Sequence, residues 1–115
     1  MIRVPFKLDV NDGFVTLTGA VSLDGSRLFV EADRRLLDLV PLGTRRIEIP
    51  ADEIEEIRVE AKLVRTRLII RPFAFGFIEG YPGVVGDELQ LPLARRDRDA
   101  ARALAQQARL RNLPR

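Results

Sequence analysis

The segment Ile57-Arg58-Val59-Glu60-Ala61-Lys62-Leu63 decides the fold, because apolar and charged residues alternate through it without interruption. A period of two places its four apolar side chains on one face of a strand and its three charged side chains on the other. Burial on one face only is typical of an antiparallel sheet whose second face meets water. The segment therefore predicts a β-strand over a core.

The same alternation recurs along most of the chain. Residues 14–23 show it clearly, and Asp24-Gly25 follows as a hairpin signal, because glycine accepts a positive φ at no steric cost. Residues 36–40 are predicted to be a short extra strand or a bent connection, and Ala51-Asp52-Glu53 a single helical turn. Further alternating segments are 2–8, 28–33, 46–49, 68–70 and 89–93. Seven or eight strands are predicted between about residues 2 and 93.

The pattern changes near the C-terminus. Residues 97–112 are rich in Ala, Leu, Arg and Gln, which favour helix, and their apolar members fall at helical spacing. Acidic residues stand at the start of this segment and arginines at its end, as the helix dipole favours. We expect one domain over residues 1–115, mainly β with one C-terminal α-helix.

The stretch Arg-Arg-Ile-Glu-Ile-Pro-Ala-Asp-Glu-Ile-Glu-Glu-Ile at residues 45–57 resembles the strand, turn and strand entry of bacterial pleckstrin-homology-like (PH-like) and GRAM-type domains. Residues 89–93 and 98–104 resemble their last strand and helix. The resemblance covers about residues 14–112. It implies a PH-like barrel of seven or eight antiparallel strands capped by the helix. It also implies binding of phosphoinositides, peptides or other proteins rather than catalysis.

The hairpin turns do not match the basic signature of the phosphoinositide-binding members. They carry Asp12, Asp24 and a lone Arg27 instead. The resemblance therefore implies no specific recognition of an inositide headgroup, and fold alone does not supply a function.

Composition excludes several kinds of chemistry. The chain has no cysteine and no histidine, so neither a Ser-His or Cys-His pair nor a thiolate or imidazole metal site can be built. We expect no catalytic residue, no metal and no cofactor. A carboxylate-type enzyme is the remaining catalytic alternative. Its acidic cluster would be Asp52, Glu53, Glu55 and Glu56.

Cysteine usage and hydropathy set the expected location. The absence of cysteine fits a reducing compartment, no secretory signal precedes the first strand, and no apolar run approaches the ~20 residues that span a bilayer. The expectation is a cytoplasmic protein without a transmembrane segment, either free or peripheral to the membrane.

The segment 72–86 is the strongest candidate for a partner surface. It holds four of the seven aromatic residues and four of the eight glycines, and it is long for a hairpin connection. Either its aromatic side chains plug one end of the core, or they form an exposed patch for a partner or for self-association. The leading hypothesis is a non-catalytic module that docks a protein or peptide through Phe75, Phe77 and Tyr81.

The C-terminal segment supports a second hypothesis. It is basic overall, and Arg102 and Arg109 would offer contacts to a partner or to anionic lipid. The alternative function is therefore a peripheral module for anionic membrane surfaces. Nucleic-acid binding is not expected, because positive and negative residues are mixed along the strands.

Overall fold

The computed structural model describes residues 2–10 and 12–111, which form eight strands and one α-helix. The strands are β1 (Ile2–Val10), β2 (Val15–Asp24), β3 (Arg27–Leu36), β4 (Val40–Pro50), β5 (Ile54–Ala61), β6 (Thr66–Pro72), β7 (Val84–Val85) and β8 (Glu88–Leu93). The helix α1 spans Arg98–Arg111. The predicted helical turn after β4 is a 3-10 turn, Ala51–Glu53.

The strands form two antiparallel sheets of four strands each. The first has the order β1-β2-β3-β4, and the second has the order β5-β6-β8-β7. This confirms a mainly β fold with one C-terminal helix. Among the described residues no hydrogen-bonded strand pair joins the two sheets, so they do not form a closed barrel.

The first sheet is a meander whose strands are joined by tight turns. Gly25 takes a φ of +62° between β2 and β3, as the Asp-Gly pair predicts. Gly19 has another role, because it lies where β2 and β3 approach closely. A Cβ atom at Gly19 would stand 1.9 Å from the carbonyl oxygen of Glu31. Only glycine permits this approach.

Two expectations about hairpin turns need correction. The alternation predicts Leu63 on the core face of a strand, but β5 ends at Ala61 and Leu63 is 90% exposed. The Lys62 N–H donates to the Arg65 carbonyl at 2.7 Å and closes a turn, which carries Leu63 out of the sheet. Residues 36–40 are not a separate strand: Leu36 ends β3 and Val40 begins β4. Residues 37–39 form the hairpin turn between them, which agrees with the alternative of a bent connection.

The helix packs its small apolar stripe against β5, β1 and β2. Its buried residues are Ala101, Leu104, Ala105 and Ala108. Alanine permits a close approach of the helix to the sheet edge that β5 presents. The predicted end at Asn112 lies outside the described residues. Within residues 2–10 and 12–111 no helix is long and apolar enough to cross a membrane.

Candidate functional site

The aromatic segment between β6 and β7 is partly core and partly surface. Ile78 and Tyr81 are buried and Phe77 is half-buried against the core, whereas Phe73 and Phe75 are 62% and 43% exposed. The segment therefore fills the end of the core with some side chains and presents others to solvent. Of the three predicted contact residues, only Phe75 lies on the surface.

Tyr81 is fixed in place by Arg45 of β4. The guanidinium of Arg45 lies 5.4 Å from the centroid of the Tyr81 ring and also donates to the Gly80 carbonyl at 2.7 Å. The Tyr81 side chain is 2% exposed, and its hydroxyl has no hydrogen-bond partner within the described residues. Burial raises the pKa of Tyr81 to about 12. A partner could touch this ring only by displacing the segment.

The two predicted helix arginines differ in their surroundings. Arg109 donates through Nη2 to the Ile57 carbonyl at 2.5 Å, so it ties the end of α1 to β5. Arg102 is exposed and makes no ion pair or hydrogen bond to any described residue. The helix packs on β5 and β1, while the aromatic segment lies beside β4, so these two predicted groups occupy different parts of the molecule.

Two members of the acidic cluster after β4, Glu55 and Glu56, are paired with arginines. Arg71 pairs with Glu56 at 2.8 Å and with Glu55 at 3.4 Å. Arg58 pairs with Glu88 at 2.9 Å, and this hydrogen bond holds the pKa of Glu88 below its usual value. No group of acidic residues in the described part of the chain is arranged to hold a metal ion. These contacts tie together the outer face of the second sheet.

The largest cluster of exposed apolar side chains lies at one end of the first sheet, a place that the sequence patterns did not indicate as a site. Five of the eleven large apolar side chains that the structure exposes belong to it, with exposed fractions between 40% and 81%. We call this cluster the tip patch. Its members are Phe14, Leu37, Leu39, Val40 and Leu42.

The turn that carries the tip patch is strained. Leu37 and Asp38 have φ angles of +54° and +59°, and the Leu39 N–H donates to the Leu36 carbonyl at 3.0 Å. A β-turn with positive φ at both central positions favours Asn and Gly there, because a leucine in the left-handed region costs about 1–2 kcal/mol. An exposed leucine is kept here in a conformation that glycine or asparagine would adopt more easily. Strain of this kind is frequent at functional sites.

Arginines stand on both faces of the hairpin just below the tip patch. Arg34 shares the face of buried Ala32, and Arg35 points to the opposite face. We call these two residues the tip arginines. Arg34 donates to the Leu42 carbonyl at 3.2 Å and keeps its Nε without a partner, and Arg35 pairs with no residue in the described ranges.

A second arginine pair, Arg45 and Arg46, lies further down β4. Arg46 lies over the Phe29 ring, 4.7 Å from its centroid, and Arg45 is held as described above. The sequence signal for the tip patch is the apolar segment 36–42, which is interrupted by Asp38. Arg34-Arg35 comes directly before this segment, and Arg45-Arg46 follows it after two further residues. Alternation alone could not reveal it, because exposure at a turn depends on where each strand ends.

The fold and this surface describe a mainly β chain with an apolar hairpin tip. Comparison with known proteins adds no family to that description. No protein-family model, no curated protein and no solved structure matches the chain.

Proposed function

We propose that this chain is a non-catalytic module that docks peripherally on anionic membrane surfaces through the tip patch and the tip arginines. The observation that carries the proposal is the combination of a strained, exposed apolar turn with arginines on both faces just below it. We further propose that the fold is PH-like. The succession of a four-stranded meander, a second antiparallel sheet and a closing helix supports this.

Apolar area supplies the main driving force. Burying a whole large apolar side chain contributes about 1.5–3 kcal/mol of favourable free energy. Burying the exposed parts of the five tip residues in a membrane would therefore contribute about 5 kcal/mol in total. Lost freedom of the docked protein opposes part of this gain. Reversible association of moderate strength is the expected outcome.

The tip arginines lie at the depth that headgroups would occupy. The last strand pair before the turn is Leu36 with Val40, and Arg35 and Arg34 lie one and two residues below it. At about 3.3 Å per residue this places them roughly 3–7 Å behind the turn. Interfacial apolar faces enter the headgroup–acyl boundary by about 5–10 Å. Insertion of the tip patch would therefore bring both guanidinium groups among anionic headgroups.

The basic helix lies at the other end of the first sheet. Gln107 and Arg111 of α1 border a hollow with Ile2 and Leu23, whereas the tip patch adjoins the turn at the opposite ends of β1 and β2. The helix and the hairpin tip would therefore not face one flat bilayer together. The membrane hypothesis is better supported through the hairpin than through Arg102 and Arg109.

Vesicle sedimentation tests the proposal. Wild-type protein is compared with Leu39→Ser, and with Leu110→Ser as a matched control on the helix, where the leucine is 52% exposed. The vesicles contain phosphatidylcholine alone or with one third phosphatidylserine. We expect binding to the anionic vesicles only, weaker at high salt, with roughly tenfold loss in Leu39→Ser and no loss in Leu110→Ser.

A charge variant provides the second arm. Arg34→Gln with Arg35→Gln should lower affinity roughly fivefold per residue, since each basic residue near an anionic surface contributes about 1 kcal/mol. Absence of binding at low salt, or equal binding of both leucine variants and wild type, would refute membrane docking by the tip.

Protein or peptide docking through the aromatic segment is a second candidate, favoured by the exposure of Phe73 and Phe75. Replacing both by serine should leave the fold intact, because neither side chain belongs to the buried core. Loss of self-association in sedimentation-velocity runs of this double variant would support the candidate. If the wild-type protein and the double variant both sediment as monomers, self-association through the aromatic segment is excluded.

A further inference from the structure

An apolar groove of about 390 Å³ lies between the two sheets, close to the turn that joins β5 to β6. One wall is Leu8 of β1, and the other is formed by β7, β8 and the β5–β6 turn. The lining residues from these elements include Val64, Arg65, Val85 and Leu93. A volume of this size falls within the range of small-molecule sites, which are usually apolar with few polar groups.

Gly83 keeps the groove open. Its φ is +97°, and a Cβ atom there would stand 2.9 Å from the Gln90 carbonyl oxygen and 3.1 Å from Cδ2 of Leu8. Any side chain at this position would narrow the space between Leu8 and β8. Rim residues Val64 and Val85 are 88% and 58% exposed, so the groove is open to solvent.

The charges at the groove have one sign. Among the lining residues Arg65 and Arg67 are basic, and none is acidic. Arg67 is engaged, because it donates to Oε1 of Gln90 at 2.8 Å. The guanidinium of Arg65 pairs with no residue among 2–10 and 12–111, so one free cation borders an apolar surface.

The backbone of the groove argues against a peptide strand as its occupant. β7 covers only Glu88 and Leu89 of β8, and Pro92, a groove residue further along β8, has no N–H to donate to an added strand. The expected occupant therefore binds mainly through side chains, with an apolar body in the groove and an anionic end near Arg65.

We propose that the groove binds a single-chain fatty-acid carboxylate, with the alkyl chain between Leu8 and β8 and the carboxylate at Arg65. This site is independent of membrane docking by the tip patch. It uses different residues, and it can be tested without vesicles.

The experiment is a titration of the ¹⁵N-labelled protein with laurate below its micelle concentration, followed by amide chemical shifts. We expect shifts that saturate at Leu8, Gly83 and Gln90. Arg65→Gln should weaken laurate binding roughly fivefold, as for an exposed ion pair, and leave binding of dodecanol unchanged. Val85→Glu, which puts a carboxylate at the rim, should abolish saturable binding.

Controls separate this proposal from membrane docking. Leu39→Ser should bind laurate like wild type, because the tip patch is not part of the groove. Saturating shifts at Phe14 and Leu39 in place of groove amides would overturn the groove site and leave tip docking untouched. Equal laurate binding by wild type and Val85→Glu, or no binding at all, would also overturn it.

Discussion

The backbone N–H of Leu37 donates to the carbonyl oxygen of Phe14 at 2.7 Å, and this hydrogen bond joins two turns of the first sheet. Leu37 belongs to the β3–β4 turn, and Phe14 belongs to the β1–β2 turn, directly before β2 begins at Val15. Because the bond fixes the turns against each other, the apolar side chains of both form one continuous patch. A change in either turn should therefore affect the presentation of the whole tip.

Replacing Leu37 by Asn should raise stability and lower membrane affinity together. Asparagine tolerates a positive φ, so relief of strain should stabilise the protein by up to about 1 kcal/mol. The same change removes apolar area from the tip, and vesicle binding should fall severalfold. Urea unfolding and vesicle sedimentation measure the two effects. If Leu37 serves only to stabilise the turn, Leu37→Asn should instead lower the free energy of unfolding.

Replacing Asp38 by Asn should strengthen binding to anionic vesicles. Asp38 carries a negative charge at the point of the turn, and its φ of +59° is one that Asn adopts readily. Removing this negative charge, which the anionic surface repels, should raise the affinity for the vesicles roughly fivefold at low salt. The gain should vanish at high salt. Equal affinities of Asp38→Asn and wild type at low salt would contradict tip-first docking.

Replacing Gly19 by Ala should destabilise the first sheet severely. The added Cβ would collide with the Glu31 backbone at 1.9 Å, and neither β2 nor β3 can move without breaking the meander. We expect a loss of at least about 3 kcal/mol, measured by urea unfolding. Gly76→Ala is the matched control, because nothing lies within 4 Å of its Cβ position. If Gly19→Ala unfolds at the same urea concentration as the wild type, β2 and β3 do not approach each other closely at Gly19.

Tyr81 should make stability fall at alkaline pH. Its pKa is raised from 10.0 to about 12, so the folded state holds a proton that the unfolded state loses above pH 10. The contribution of the neutral Tyr81 hydroxyl to the free energy of unfolding is complete below pH 10 and is lost as the pH rises toward 12. Tyr81→Phe should remove this dependence while changing neutral-pH stability by no more than about 1 kcal/mol, because the hydroxyl has no described partner. Absorbance titration of the single tyrosine gives the pKa directly.

Some elements were predictable from sequence, because their signals are local. Alternation located the longer strands but not β7, which lies inside the segment 72–86. The Asp24-Gly25 pair located a hairpin turn, and alanine-rich helical spacing located α1 to within a residue at its start. Leu63 shows the limit of this reasoning. The alternation of apolar and charged residues continues to Leu63, but β5 ends at Ala61 and the hydrogen bond between Lys62 and Arg65 closes the turn. The end of the strand therefore cannot be read from the alternation.

The aromatic segment shows a second limit. Composition identified residues 72–86 as unusual but could not divide them between core and surface. That division depends on the Arg45 contacts to Gly80 and Tyr81, which join residues about 35 positions apart in the chain. No local pattern encodes such a pairing.

By itself the sequence determined a mainly β chain with a terminal helix and no histidine or cysteine chemistry, because periodicity and residue type act over a few neighbouring positions. Tertiary structure alone decided which apolar residues stay outside the core. Strand ends and the hydrogen bond from Leu37 to Phe14 expose the tip patch, whereas packing of the aromatic segment beside Arg45 buries Tyr81. Exposure is a property of the packed chain, since it depends on residues that are distant in sequence and adjacent in space.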